Sequence, residues 1–463
     1  MTFYDGLSID PKLILYALIF IVVADHLWEI ILTKRQLIVC QNSIVVPEEL
    51  RHVISPEIFH RARIYELHKA ELFIWKHFIE AVISVAELVF GFYPFLWHLA
   101  ALTLAKLTSK EMWISIVFVF YLTIYICVRY LPVLAYEKCI LELRYGGQQH
   151  FQLCLCCLVA VLAVVLSQIL LAPATLLIVY CVQKAGYWFF LWFWLIWALF
   201  TLILVFFLPY CCIPCLGVQT PLREGALYTE VKRVCDMARF PMSRVFIIRT
   251  KTVQYSNAYF YGSCCLKRIV IFDTLLLNKG MDPSYLRPHE IGRGLTNSQV
   301  AGVVAHELGH WKYGHFYKAT IIMKLHFLFT MVLFGLLFHC PQLYQAVGFI
   351  SGLCPIIVGF LIVLRFALTP YLVIANFLML WNLRRFEFAA DKYAHSLGYS
   401  MQLRAALVKI YADHMSFPVF DRCYARWHHT HPTILQRLRY QEKLDVRANF
   451  NENRANLNQP TNY

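Results

Sequence analysis

The stretch Val304-Ala305-His306-Glu307-Leu308-Gly309-His310-Trp311 places two histidines four positions apart around a glutamate. Thr296 and Gln299 fit a capping box that opens a helix here, and Val300, Val303 and Val304 supply one apolar side of it. On a helix, positions i and i+4 lie one turn apart on the same face, so both imidazoles can reach one tetrahedral metal ion. Glu307 can then hold a water at that ion and take its proton. A chance match in a histidine-containing helix is the competing reading, and a third donor weakens it. Phe386-Glu387-Phe388-Ala389-Ala390-Asp391 follows the last long apolar run, with Glu387 and Asp391 on one helical face. His306, His310 and Glu387 make a His2Glu set for one Zn2+ ion, leaving a fourth position for water, the open arrangement of a catalytic site. Asp391 can accept a hydrogen bond from a ligand imidazole and fix its tautomer. Otherwise it is a solvated acid or a partner for Arg384 or Arg385.

The elements that must position these residues belong largely to a membrane. The 463 residues are 59% hydrophobic and only 15% charged, so lipid is the solvent for much of the chain. Apolar runs long enough to cross a bilayer lie near 13–32, 78–99, 113–134, 153–171, 187–208, 321–338 and 356–380, about seven crossings. Segments 34–69, 138–144 and 223–318 carry Lys and Arg, whereas 339–355 carries none, which predicts a lumenal N-terminus and a cytosolic C-terminus. The net charge of +14 then reflects cytosolic loops against anionic lipid rather than nucleic-acid binding. The beginning of the chain, with Asp5, Asp10, Asp25 and Glu29, reads as a retained anchor and not as a cleaved signal.

The expected division is five crossings over 1–213, a polar module over 214–320 that carries the histidine helix, two crossings over 321–380, catalytic helices with the Glu ligand over 381–448, and a disordered polar tail over 449–463. Two crossings separate the histidine helix from Glu387, an even number, so both emerge on the same side of the membrane. Residues 245–253 and 268–275 are rich in β-branched and aromatic types and read as strands, with Asn257-Ala258-Tyr259 between them. Cys154, Cys156, Cys157 and Cys181 sit in apolar runs as small hydrophobes, and Cys212-Ile-Pro-Cys215 sits at the end of an apolar run, so packing or lipidation accounts for it.

Four motifs in order resemble the type I CAAX prenyl protease family of membrane zinc endopeptidases: His306-Glu307-x-x-His310-Trp311, Ser256-Asn257-Ala258-Tyr259-Phe260-Tyr261-Gly262, Arg384-Arg385-Phe386-Glu387-x-x-Ala390-Asp391, and His431-Pro432-Thr433 with Arg437. The resemblance implies a seven-helix α-helical barrel around an intramembrane chamber, a small α/β zinc-protease domain at its cytosolic end, and an endoplasmic reticulum location. It also implies removal of the C-terminal tripeptide from prenylated Cys-a-a-X proteins, in some substrates with a second cleavage upstream. By the same resemblance Asn257 pairs with an extended substrate docked as an added strand, His431 donates to the developing oxyanion, and Arg437 lies near the carboxyl end of the substrate. Glu80, Glu87 and Arg365, inside apparent crossings, must face water or protein, since a charge facing lipid costs several kcal/mol. The chamber of the family explains them better than pairing within a dry bundle.

The chain departs from the family pattern at Thr252-Val253-Gln254-Tyr255-Ser256, where a basic stretch ending in His-Ser-Asn is usual, and at Asn297-Ser298-Gln299, where acids are common. Neither departure touches a ligand. Two other readings remain open on sequence alone: a quality-control membrane protease, which uses the same His-Glu-x-x-His chemistry, and a non-enzymatic channel or scaffold derived from a protease.

Overall fold

In the computed structural model, residues 9–146, 153–211, 217–250, 257–262, 267–288, 290–350, 352–414 and 416–457 are described. The first apolar run folds as α1 (Pro11–Asn42) and the second as α2 (Pro56–Val89) and α3 (Phe92–Leu104). The next three form α4 (Glu111–Tyr136), α5 (Leu153–Ala185) and α6 (Phe189–Cys211). The polar segment contains β1 (Gly217–Pro221), α7 (Ala226–Ala238), β2 (Val245–Thr250), β3 (Ala258–Tyr261), β4 (Arg268–Phe272) and α8 (Asn297–Lys312). After it come α9 (His315–Phe338), α10 (Pro341–Ala346), α11 (Ile356–Ile362) and α12 (Thr369–Ser396), and then α13 (Ser400–His414), α14 (Arg422–His428) and α15 (Ile434–Leu457). Two compact units interleave along the chain. A membrane unit comprises Met1–Asn42, Arg63–Trp197 and Leu325–Asn376, and a polar unit comprises Ser43–Ala62, Ala198–Lys324 and Phe377–Tyr463.

Among the described residues, four helical stretches are long and apolar enough to span a bilayer, and six when each of two bent pairs counts as one span. One of the four, Cys157–Leu204, is 48 residues long, over twice the ~20 that a crossing needs, and it contains the break between α5 and α6 at Gly186 (φ 62). Counting it as two restores the seven runs legible in the sequence. The bent pairs have local causes. Gly91 (φ 63) separates α2 from α3 by a 64° bend, and a π-helical turn at Val363–Ala367 followed by Thr369-Pro370 turns α11 into α12 by 59°.

The core of the membrane unit is aromatic. Tyr93, Phe118, Phe189, Phe334 and Phe366 are fully buried, and the Phe189 and Phe338 rings meet edge to face with centroids 5.0 Å apart. The charges inside this unit close on one another. Glu87 Oε1 accepts from Tyr125 Oη (2.7 Å) and Arg129 Nη1 (2.6 Å), and Glu87 Oε2 accepts from Tyr93 Oη (2.6 Å) and pairs with Arg365 Nη2 (3.1 Å). Arg129 also pairs with Glu80, and Arg365 donates to Ser84 Oγ. Glu80 and Glu87 are both buried, so the chamber expected to solvate them gives way to ion pairing within the bundle. The partner that the sequence reading lacked is Arg129.

The polar unit holds a four-stranded sheet in the order β1-β2-β4-β3, with β2 and β4 parallel and the two outer strands antiparallel to them. The central strands are those that the β-branched runs predict, ending at Thr250 and Phe272. The outer strands were not legible: β1 contains Gly and Pro, and β3 is only four residues long. Val231, Val234 and Cys235 of α7 and Val300, Val304 and Leu308 of α8 are buried in one core with Ile269 and Ile271 of β4. α8 begins with the expected capping box, in which Thr296 N donates to Gln299 Oε1 at 3.0 Å.

At the other end of the chain, α15 continues to Leu457, beyond residue 449, where a disordered tail was expected. Its first turn is anchored by buried Ile434, Leu435 and Leu438, and once a helix is nucleated, propagation through Gln, Glu, Arg and Ala residues is cheap. Residues 458–463, the pair Cys212 and Cys215, and the departure at 252–256 lie outside the described residues.

The membrane network makes a stability prediction. Replacing Arg129 by Met leaves buried Glu80 without its ion-pair partner and Glu87 with Arg365 as its one cation, and should destabilise the chain by about 3–5 kcal/mol. A thermal melt of the detergent-solubilised variant that matches wild type would show that the pairing carries no such weight.

Candidate metal centre

The metal centre forms where α8 crosses α12. Gly309 of α8 lies against α12 so closely that a Cβ there would stand 2.8 Å from Ala390 Cα and 3.0 Å from Ala390 O. His306 and His310 flank this contact on α8, and Glu387 and Asp391 flank it on α12. The donor atoms converge accordingly. His306 Nε2 and His310 Nε2 are 3.1 Å apart, His310 Nε2 is 3.4 Å from Glu387 Oε1, and His306 Nε2 is 3.6 Å from Glu387 Oε2. Ligand atoms of these three residues all lie within 4.8 Å of one another. Two imidazoles and a carboxylate at such separations fit a borderline divalent ion with a position left for water.

Behind the donors stands a second layer. His306 Nδ1 lies 2.9 Å from Asp391 Oδ1, and Asp391 in turn accepts from Arg437 Nε (2.9 Å) and Nη2 (2.5 Å). Asp391 is fully buried, so its charge needs both partners. The resemblance puts Arg437 near the carboxyl end of a substrate; in the fold its guanidinium is engaged by Asp391 and reaches Glu387 Oε2 at 3.6 Å. Burial alone would lower the Arg437 pKa, but Asp391 outweighs it, with Glu387 and Glu307 adding to the rise. Burial would likewise lower His310, yet hydrogen bonding to Glu387 and the charges of Glu307 and Glu387 raise it. The field at the donors is therefore negative, which favours a cation.

Glu307 stands outside the donor triangle. Its Oε2 accepts from the backbone N of Phe260 on β3 at 2.9 Å. β3 is an end strand among the described residues, paired only with β4. Asn257, exposed just before β3, uses its carbonyl to accept from Phe272 N at 3.1 Å. His431 is largely exposed, with Nδ1 3.1 Å from Glu387 Oε2. The loop that carries it is gripped by Arg384, one turn before Glu387, which donates to the carbonyls of Ala425 (2.9 Å) and His431 (3.1 Å) and to Gln436 Oε1 (2.6 Å). The structure thus gathers His306, Glu307, His310, Glu387, Asp391, His431 and Arg437 at one centre. Sequence reasoning missed this use of Arg384; its position three residues before Glu387, on the same helical face, was the available signal.

Comparisons with known proteins bear on most of the chain. Residues 36–217 match the family described as "CAAX prenyl protease N-terminal, five membrane helices", and residues 221–444 match peptidase family M48. The human CAAX prenyl protease 1 homolog is 33% identical over 441 residues, covering 89% of this chain and 92% of that protein. CAAX prenyl protease 1 of Saccharomyces cerevisiae is 28% identical, covering 85% and 87%. The crystal structure of S. mikatae Ste24p superposes with a TM-score of 0.72 at 26% identity, covering 94% of this chain and all of the other. Fold and site define a multi-pass membrane metallopeptidase. Within that class, the chain belongs to the CAAX prenyl protease 1 family. Neither the quality-control protease nor the non-enzymatic scaffold is favoured.

Replacing Gly309 by Ala tests the helix crossing. The added methyl must push α8 and α12 apart, at about 1–3 kcal/mol of stability, and metal affinity should fall together with the melting temperature. Unchanged metal content in a purified Gly309→Ala chain would show that the crossing does not set the donor spacing.

Proposed function

We propose that this chain is a zinc endopeptidase that cleaves prenylated proteins ending in Cys-a-a-X, releasing the C-terminal tripeptide, in some substrates with a second upstream cut. His306, His310 and Glu387 hold one zinc ion, and Asp391 and Arg437 keep the His306 ring and Glu387 oriented. When bound, the ion polarises the scissile carbonyl and acidifies water. Glu307 takes a proton from the attacking water on its carboxylate and passes it to the leaving amine nitrogen. His431, at the exposed mouth of the site, donates to the oxygen on which negative charge develops, where a donor matters most. Asn257 helps align the substrate as an added strand along β3, and main-chain pairing of that kind tolerates varied side chains.

The observation that carries this reading is the 2.9 Å hydrogen bond from Phe260 N to Glu307 Oε2. It ties the proposed base to the strand edge on which a peptide would lie. The substrate class is supported by the relatives named CAAX prenyl proteases, found across both the membrane helices and the peptidase segment. Segments 214–320 and 381–448 act as one catalytic module on the cytosolic side of the endoplasmic reticulum membrane, consistent with the Lys and Arg distribution.

The decisive assay uses a farnesylated Cys-a-a-X peptide and its unprenylated twin, with and without chelator. Cleavage should need both the lipid and the metal; equal cleavage of the unprenylated twin would refute the substrate class. Glu307→Gln should retain zinc while kcat falls by roughly 10²–10⁴-fold. Turnover near wild type in that variant would remove Glu307 from its role.

A further inference from the structure

His315, the first residue of α9, has no part in the roles above, yet it is buried against the metal centre, only 5% exposed. Its Nδ1 lies 3.0 Å from His310 Nδ1. The other nitrogen of the His310 ring, Nε2, is the one turned toward His306 and Glu387. Two imidazole nitrogens at hydrogen-bond distance need one proton between them. With His310 Nε2 given to an ion, its Nδ1 carries that proton, and His315 Nδ1 must be the acceptor.

The chain path explains how His315 reaches this position. In an uninterrupted helix, residues five apart point about 140° away from each other and cannot bond. Gly314, with φ 62, breaks the helix between α8 and α9 and returns the next side chain toward the last turn of α8. The His315 ring is then held flat on Phe386, with centroids 4.3 Å apart and planes 13° from parallel. Phe386 is the neighbour of Glu387, so the stack joins the supports of two donors.

We propose that His315 is the positioning residue for His310: it accepts the Nδ1 proton, fixes the ring with Nε2 toward the ion, and is itself locked by Phe386. Each imidazole donor then has its own buried acceptor, Asp391 for His306 and His315 for His310. The proposal rests on the metal reading above. It predicts a loss of zinc affinity from a residue that touches neither ion nor substrate.

The test is zinc affinity of the full-length chain in detergent, measured by competition with a chelator, alongside thermal melts of the zinc-free protein. His315→Phe keeps an aromatic ring on Phe386 but removes the acceptor, whereas His315→Asn offers an amide oxygen near the place of Nδ1. His315→Phe should bind zinc 10–100-fold more weakly, and His315→Asn should recover most of that loss, with zinc-free melts like wild type. Where His315→Phe folds poorly, His315→Asn against the near-isosteric His315→Leu repeats the comparison, and the acceptor-bearing variant should hold zinc at least about tenfold tighter. Equal affinity within the pair, or wild-type affinity in His315→Phe, overturns this proposal alone. A wild-type chain that holds no zinc overturns the proposed function with it.

Discussion

The metal centre depends on one close approach, the backbone of Gly309 against that of Ala390. Helix axes are normally kept 8–10 Å apart by the side chains between them, and a glycine facing an alanine removes that spacer. His306 and His310 lie on either side of Gly309, and Glu387 and Asp391 on either side of Ala390. Bringing these two backbones together therefore sets both the donor triangle and the acid behind it. The identity of Gly309, one of three residues between His306 and His310, is thus as consequential as the histidines, for a steric reason and not a chemical one.

The two units solve the burial of charge in opposite ways. In the membrane unit, Glu87 takes hydrogen bonds from Tyr93, Tyr125 and Arg129 and pairs with Arg365, so its charge is spent inside the bundle. In the polar unit, Asp391 is answered by Arg437 and His306, while Glu387, His306 and His310 are left facing one another across a gap of ion size. Mutual approach of donors that would gain more from a cation than from each other is what marks a metal site among ordinary ion pairs. Arg384 adds a mechanical link, since the same helix that presents Glu387 also grips the loop that carries His431.

Legibility followed the range of the interaction. The apolar runs, the capping box at Thr296 and Gln299, and the central strands β2 and β4 arise from local pattern and were readable. The outer strands escaped because a strand of four or five residues owes its existence to its neighbour in the sheet. The helix through residues 449–457 escaped because composition describes a segment in isolation, whereas this one continues a helix already nucleated by packing at Ile434. The pairing of Glu87 escaped because Arg129 is on another helix, and no spacing rule connects them.

The sequence by itself determined that the chain lives in lipid, that two imidazoles share a helical face, and that a carboxylate returns to the same side of the membrane after an even number of crossings. Periodicity and parity suffice for these, because each is a property of order along the chain. Tertiary structure alone decided that Glu307 touches the edge of β3, that Arg437 serves Asp391, and that His315 folds back on His310. Those contacts join residues whose separation in sequence says nothing of their distance, and only the packing of whole elements brings them within reach of a hydrogen bond.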